Sequence, residues 1–342
     1  MIPHARPSFD ASFSQAVQAV VDSGYTACHT KAAQLEREIC VRVGQDDAVA
    51  VDSGTSALML AIRALSASNT IKKVGIPAYA CASLLFAVRA AGCEAVCMDC
   101  NHDLRLDQDK AVAIAADLDA LILVHPFGML EPLVKESWPC PVIEDIAQAA
   151  GAMLDGQAVG SFGDVSIASF YATKPWGGAY GGMVMGDLEV CTEVRHMSNP
   201  DVTGFKQSYV GHHQLSDIHA ALALVRLQCS KNEMQQRRQH MTWLDQRLPD
   251  RYVQSLSNRQ FGSAYRYIIR AENNAETLIQ HLRNHGIAAS LPVQKPLNMA
   301  TSDICDGAYQ AWKDCISLPL LPTMSQHEYQ QYERGLKVCF SC

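Results

Sequence analysis

"DAVAVDSGTSALMLAIRALSA", residues 47–67, holds the pattern on which the fold turns. Its opening, "DAVAVDSG" (47–54), is a short apolar run closed by Asp, Ser and Gly, the way a strand meets a turn. Its continuation, "SALMLAIRALSA" (56–67), is too long and too rich in Ala and Leu for a strand and reads as a helix. The alternation recurs. "KKVGIP" (72–77), "EAVCM" (94–98), "DALILVHPFG" (119–128), "PVIEDIA" (141–147), "DVSIASF" (164–170) and "GMVMG" (182–186) are strand candidates, and "CASLLFAVRAAG" (81–92) is helical among them. Short apolar strands separated by helices predict an α/β fold with a mainly parallel sheet covered on both faces. Ligands of such sheets gather at the carboxyl ends of the strands.

The second half changes character. Residues 214–248 form a long helical pattern that turns polar after Leu227. "AYRYIIRA" (264–271) then reads as a strand, and "AETLIQHLRNHG" (275–286) and "QHEYQQYERGLK" (326–337) as helices, enough for a small α+β domain. The division is expected within the long helix, giving a large domain over 1–235 and a smaller one over 236–342.

Bulk composition narrows the function classes. A chain of 342 residues with 48% hydrophobic and 18% charged residues is an ordinary globular protein. Its net charge of −7 argues against nucleic acid or an anionic membrane as the main partner. "MIPHARPSFDASFSQAV" lacks the apolar core of a secretory signal, and no run approaches the ~18 apolar residues of a membrane span, so a cytoplasmic location is expected.

Thirteen cysteines raise the question of metals. Cys93, Cys97 and Cys100 reproduce the C-x3-C-x2-C spacing of radical-SAM iron–sulfur proteins. The segment is apolar and β-prone, however, and reads as a buried strand in which Cys serves as a small hydrophobe. "CFSC", with Cys339 and Cys342, has no second pair near it in sequence. No metal is expected, and no disulfide framework.

The chemistry centres on "SFYATKPWGGAYGG" (169–182), where Lys174 is the single charge among small and aromatic residues. A lysine kept partly dry can lose its proton and act as a nucleophile. Upstream, the strand of "PVIEDIAQAAGA" ends at Glu144 and Asp145, with Gln148 one turn on. A carboxylate there is an ordinary helix N-terminal acid, or the partner of a cationic ring nitrogen. A Walker-B role lacks its GxxxxGK[ST] loop. Thr55 and Ser56 open the first quoted helix, as a plain N-cap or as an anion site suited to phosphate. Ser169 closes a strand five residues before the lysine. An amine, an acid for a ring nitrogen and a phosphate cradle together match pyridoxal phosphate. Glycines 177, 178, 181 and 182 let backbone pass close to such a site.

"VDSGTSALMLAI", "VIEDIAQAAGA" and "VGSFGDVSIASFYATK" with its following "GG" resemble, in order and spacing, the DegT/StrS family of sugar aminotransferases. "HLRNHGI" and "ISLPLLPTMSQHE" resemble segments of its small domain. The resemblance implies the three-layer fold-type I aminotransferase architecture, pyridoxal 5'-phosphate as cofactor, and a homodimer with shared active sites. It makes Lys174 the lysine that holds the cofactor covalently, Asp145 the partner of its ring nitrogen, and Gln148 a neighbour of its ring. Ser169, Thr55 and Ser56 become phosphate ligands. It also implies an amino acid donor, glutamate, and a keto-sugar acceptor, nucleotide-linked, in amino-sugar or polysaccharide biosynthesis.

Two departures mark the site. Where the family carries an aromatic residue that stacks on the cofactor, "IPAYACAS" has Cys81, with Tyr79 two residues earlier. Either Tyr79 substitutes or the stacking is absent. The family's segment whose Asn reaches the neighbouring subunit's phosphate reads "VGHHQLSDIHAA", which puts His212 at the Asn and Gln214 at an Arg. A histidine can donate to phosphate. Relatives that dehydrate sugars typically carry histidine in place of the lysine, so Lys174 favours transamination. A regulatory or vestigial cofactor-binding protein is the rival from another class.

Overall fold

The computed structural model describes every residue except 69, 200, 202–209, 254–261, 273 and 341–342. The strands of its main sheet are β1 (Asp47–Val51), β2 (Lys73–Pro77), β3 (Glu94–Met98), β4 (Ala120–Val124) and β5 (Val142–Asp145), then, beyond a small hairpin of β6 (Met153–Leu154) and β7 (Gln157–Ala158), β8 (Val165–Ser169) and β9 (Gly182–Gly186). Their order is β1-β9-β8-β5-β4-β2-β3. β8, β5, β4, β2 and β3 run parallel, and β9 runs antiparallel to both neighbours.

Burial on both faces explains why these strands read as continuous apolar runs. Along β8, Val165 and Ile167 enter the core beneath the helices Gly54–Ser68, Ser83–Ala90 and Leu188–Ser198. Ala168 and Phe170 enter the opposite core with the helix Thr30–Val43 and the first part of the helix Asp217–Asp245. β9 repeats this, with Val184 on the first face and Met183 and Met185 on the second. The result is a three-layer α/β sandwich. Cys97 sits within β3 and is buried, as is Cys100 just beyond it; burial raises their thiols to about 11 and about 12. Both pack in the core as hydrophobes.

The helix Thr30–Val43 has no side-chain cap of its own. Buried Asp217 supplies one from the far side of the sequence, accepting from the backbone N–H groups of His29, Lys31 and Ala32 at 2.8, 2.9 and 3.0 Å.

The C-terminal part has its own core. β10 (Tyr267–Arg270) pairs antiparallel with β11 (Cys315–Leu318), flanked by the helices Ala275–Asn284 and Gln326–Phe340. The helix Asp217–Asp245 runs unbroken between the two halves. Ala220, Ala223, Leu224 and Leu227 belong to the sheet's core, whereas Met241 and Leu244 belong to the C-terminal one. We place the division between domains within this helix, near residue 235. Among the described residues no helix is long and apolar enough to cross a membrane.

Candidate active site

The ends of β5 and β8, the turn after β1 and the start of β9 meet at one edge of the sheet. Lys174 lies there, in the loop joining β8 to β9. Tight turns shape that loop: Lys174 N–H donates to Tyr171 O and Gly177 N–H to Lys174 O, both at 2.8 Å. Only glycine fits at 177, where a Cβ would collide with Tyr171 O. Arg226, on the long helix and 2% exposed, fixes the loop from below. Its Nε donates to Gly177 O at 2.9 Å, and its guanidinium pairs with buried Glu233. Lys174 itself is half-buried and, among the described residues, has no ion-pair partner within 4.0 Å. Its amine stands 4.9 Å from the centre of the Tyr265 ring.

Strand alternation separates the two acids of β5. Glu144 is fully buried, its oxygens accepting from the N–H groups of Gly160, Phe162 and Gly163 and from the His125 ring at 3.0 Å. His125 Nδ1 accepts from Glu131 N–H at 2.9 Å, so the ring proton sits on Nε2 and points at Glu144. Asp145 faces the other way, into a cavity. It is 5% exposed, and its one hydrogen bond comes from Ala147 N–H at 2.8 Å. Burial pushes its carboxyl above the ordinary range; that N–H, and the charge of Lys174, oppose the shift without cancelling it. Among the described residues, then, Asp145 is a buried acid with no ion-pair partner within 4.0 Å.

At the turn after β1, Ser53 Oγ accepts from Ser56 N–H at 3.1 Å and caps the helix. The first N–H groups of the helix keep no intrahelical partner, as at any helix start. Gly54 allows the turn to close on β8, since a Cβ there would stand 3.0 Å from Ser169 Cβ.

These groups line one cavity of about 430 Å³, whose wall includes Gly54, Thr55, Asp145, Gln148, Ser169 and Lys174. A second cavity of about 530 Å³ adjoins it, sharing Cys81, Gln148, Lys174, Tyr265 and Arg266. Both volumes suit small molecules. Gln148 Oε1 accepts from Phe127 N–H at 2.9 Å, which leaves its amide N–H groups to donate elsewhere.

The remaining expected residues lie outside the cavity that holds Asp145. Ser56 Oγ is paired with Ser53 Oγ at 2.8 Å. Tyr79 is 2% exposed, reaches Ala311 O at 3.3 Å and packs edge-on to Phe127; it lines only the second cavity. Cys81, at the place of the family's stacking residue, lines both. His212 is exposed and lines neither. Its neighbour His213 pairs with Asp52 at 3.0 Å, and Gln214 bridges to Val51.

Residues 7–334 match the profile of the DegT/DnrJ/EryC1/StrS aminotransferase family. The chain belongs to that family. By this membership it is a pyridoxal-phosphate-dependent aminotransferase. Solved structures agree in fold. The aminotransferase TlmJ from Streptoalloteichus hindustanus superimposes with a TM-score of 0.87 at 21% identity, over 99% of this chain and 98% of that one. A putative sugar aminotransferase, Spr1654 from Streptococcus pneumoniae, in its PLP form, gives 0.84 at 23% identity, over 99% and 98%. The E. coli GDP-4-keto-6-deoxy-D-mannose-3-dehydratase, with hydrated PLP bound, gives 0.85 at 17% identity, over 98% and 99%. These place this aminotransferase in fold-type I.

The site's chemistry fits the cofactor: an unpaired buried acid, an amine without a carboxylate partner, and open helix N–H groups beside a serine. The structure adds two residues that the sequence reading passed over. Tyr265 and Arg266 precede β10, and Arg266 N–H anchors them by donating to Phe127 O at 3.1 Å. Burial alone would raise the Tyr265 phenol. Lys174, then Arg266, a hydrogen bond with Thr173 and the charge of Arg237 outweigh it and lower the phenol to about 8. Arg266 also donates to Tyr265 Oη at 3.2 Å. The signal in sequence was the "YR" pair inside "AYRYIIRA", read there only as strand.

Proposed function

We propose that this aminotransferase moves an amino group from an amino acid, glutamate, to the keto group of a nucleotide-linked sugar. The observation that carries this reading is one cavity lined by both the Lys174 amine and the buried Asp145. Bound there, pyridoxal phosphate supplies an aldehyde that takes up and hands on the amino group, and a ring that accepts electron density. Lys174 Nζ would hold the aldehyde. As a free amine it would be the base that takes up and returns a proton at the substrate carbon. Asp145 keeps a proton on the ring nitrogen, which relieves its own buried charge. Ser169, Thr55 and the helix N–H groups hold the phosphate, and Gln148 lies beside the ring.

The second cavity suits the acceptor. Its wall is mostly apolar but carries Arg266 and Lys295, cations fit for the phosphates of a nucleotide. A homodimer would complete the site. Tyr171 and Tyr180, 48% and 60% exposed, stand at the wall of the Lys174 cavity, and exposed His212 is free to reach a second subunit's phosphate. We place the enzyme in the cytoplasm.

Glutamate alone should convert the bound cofactor from its aldehyde to its amine form, and a keto-sugar nucleotide should convert it back. Cofactor binding with no glutamate-dependent conversion would point to the vestigial reading. Conversion reversed by keto acids but by no keto-sugar nucleotide would refute the acceptor class.

A further inference from the structure

We propose that His281, His285 and Cys339 form a metal site for a zinc-like divalent cation, remote from the active site. The ligand atoms of these three side chains lie within 4.8 Å of one another. None of them lines either cavity.

The placement follows from two helices. His281 is in the last turn of the helix Ala275–Asn284, and His285 is its C-cap residue, so the pair shares one face at i, i+4. Cys339 lies in the last turn of the helix Gln326–Phe340, which packs against the first. Two imidazoles and a thiolate are the donor set that zinc favours, with water free to complete a tetrahedron. Zinc bonds of ~2.0–2.3 Å set tetrahedral ligands roughly 3.5 Å apart. The group therefore needs to contract by about 1 Å, within reach of side-chain rotation.

A second feature points the same way. His285 Nδ1 stands 2.9 Å from the carbonyl oxygen of His281. A carbonyl only accepts, so Nδ1 carries a proton and Nε2 is the nitrogen left for a metal. Such a bond is how metal-binding histidines fix their tautomer. The two rings sit 4.6 Å apart at 58°, an arrangement that suits two neutral imidazoles sharing a cation better than two protonated ones. Burial raises the Cys339 thiol, so zinc would have to displace its proton. A metal here would pin the end of the C-terminal helix, whose Tyr332, Leu336 and Phe340 help to build that core.

The test uses reduced, cofactor-loaded protein stripped of metal and titrated with zinc against a chromophoric chelator. Wild type should take up a zinc ion that raises its Tm. His285→Ala and Cys339→Ser should each weaken binding roughly tenfold or more and abolish that rise. Cobalt should give the near-ultraviolet thiolate charge-transfer band, lost in Cys339→Ser and kept in the Cys140→Ser control. Circular dichroism and cofactor absorbance confirm that the variants fold. No zinc uptake by folded wild type, or equal uptake by folded His281→Ala/His285→Ala/Cys339→Ser protein, would overturn the assignment.

Discussion

Asp145→Asn should stabilise the cofactor-free protein and weaken its hold on the cofactor. Asn keeps the shape and the acceptor for Ala147 N–H at 2.8 Å, and removes a charge that is 5% exposed and, among the described residues, has no ion-pair partner within 4.0 Å. Leaving such a group without a partner costs about 1–3 kcal/mol. The sign follows from the raised carboxyl. Below the ordinary range near pH ~4 the group is protonated in both states and has no effect. As pH rises toward the folded-state value, the unfolded chain ionises first, and each unit removes ~1.4 kcal/mol of stability until the folded carboxyl ionises too. At neutral pH, cofactor-free Asp145→Asn should therefore melt about 1–4 °C higher than wild type, and the gap should close near pH ~4. With cofactor bound, the ring nitrogen's proton supplies the missing partner and the sign inverts. Loss of that charge-assisted hydrogen bond, ~1.5–3 kcal/mol, should weaken cofactor binding roughly 10- to 150-fold. Calorimetric melts of stripped protein and a cofactor titration read both effects. A variant that melts no higher when stripped and binds cofactor as wild type does would refute the role given to Asp145.

Tyr265→Phe should remove an early step from the ultraviolet titration of stripped protein. A phenol lowered to about 8 ionises ahead of the other tyrosines, and wild-type and variant curves that coincide would contradict its placement beside Lys174. Ionisation of Tyr265 adds stability above the unfolded value near pH ~10, and that stability is lost as pH falls through about 8, so none is expected at neutral pH. Arg226→Leu leaves Glu233 buried without its partner and frees Gly177 O, and should cost about 3–5 kcal/mol in urea unfolding. A loss under ~1 kcal/mol would mean that the pair does not hold the Lys174 loop.

Local patterns carried most of the fold and much of the site. β9 coincides with "GMVMG" because a strand buried on both faces shows as an unbroken apolar run between glycine turns, and β3, at the sheet's edge, coincides with "EAVCM" although Glu94 is exposed. Asp145 and Ser169 were legible as the last residues of β5 and β8, and Thr55, Gln148 and Lys174 lie in the segments that follow strand ends, where the sheet gathers them around one cavity. What was hidden depends on distant partners. The helix Thr30–Val43 is capped by Asp217, so its own start carries no cap residue. Ser53, rather than Ser56, caps the next helix, and sequence does not say which hydroxyl turns inward. Tyr79, left open in the sequence as a substitute for the missing stacking residue, turns its hydroxyl to Ala311 O from the other end of the chain. Tyr265 and Arg266 come to Lys174 through the packing of their segment on Phe127 and Gly128, which no spacing in the sequence records.

Borohydride reduction of the cofactor-loaded protein, followed by peptide mass mapping, tests the central claim most directly. The account predicts one reduced cofactor mass, on Lys174, absent from Lys174→Ala protein along with its visible absorbance. A label on a different lysine, or none on protein saturated with pyridoxal phosphate, would contradict it.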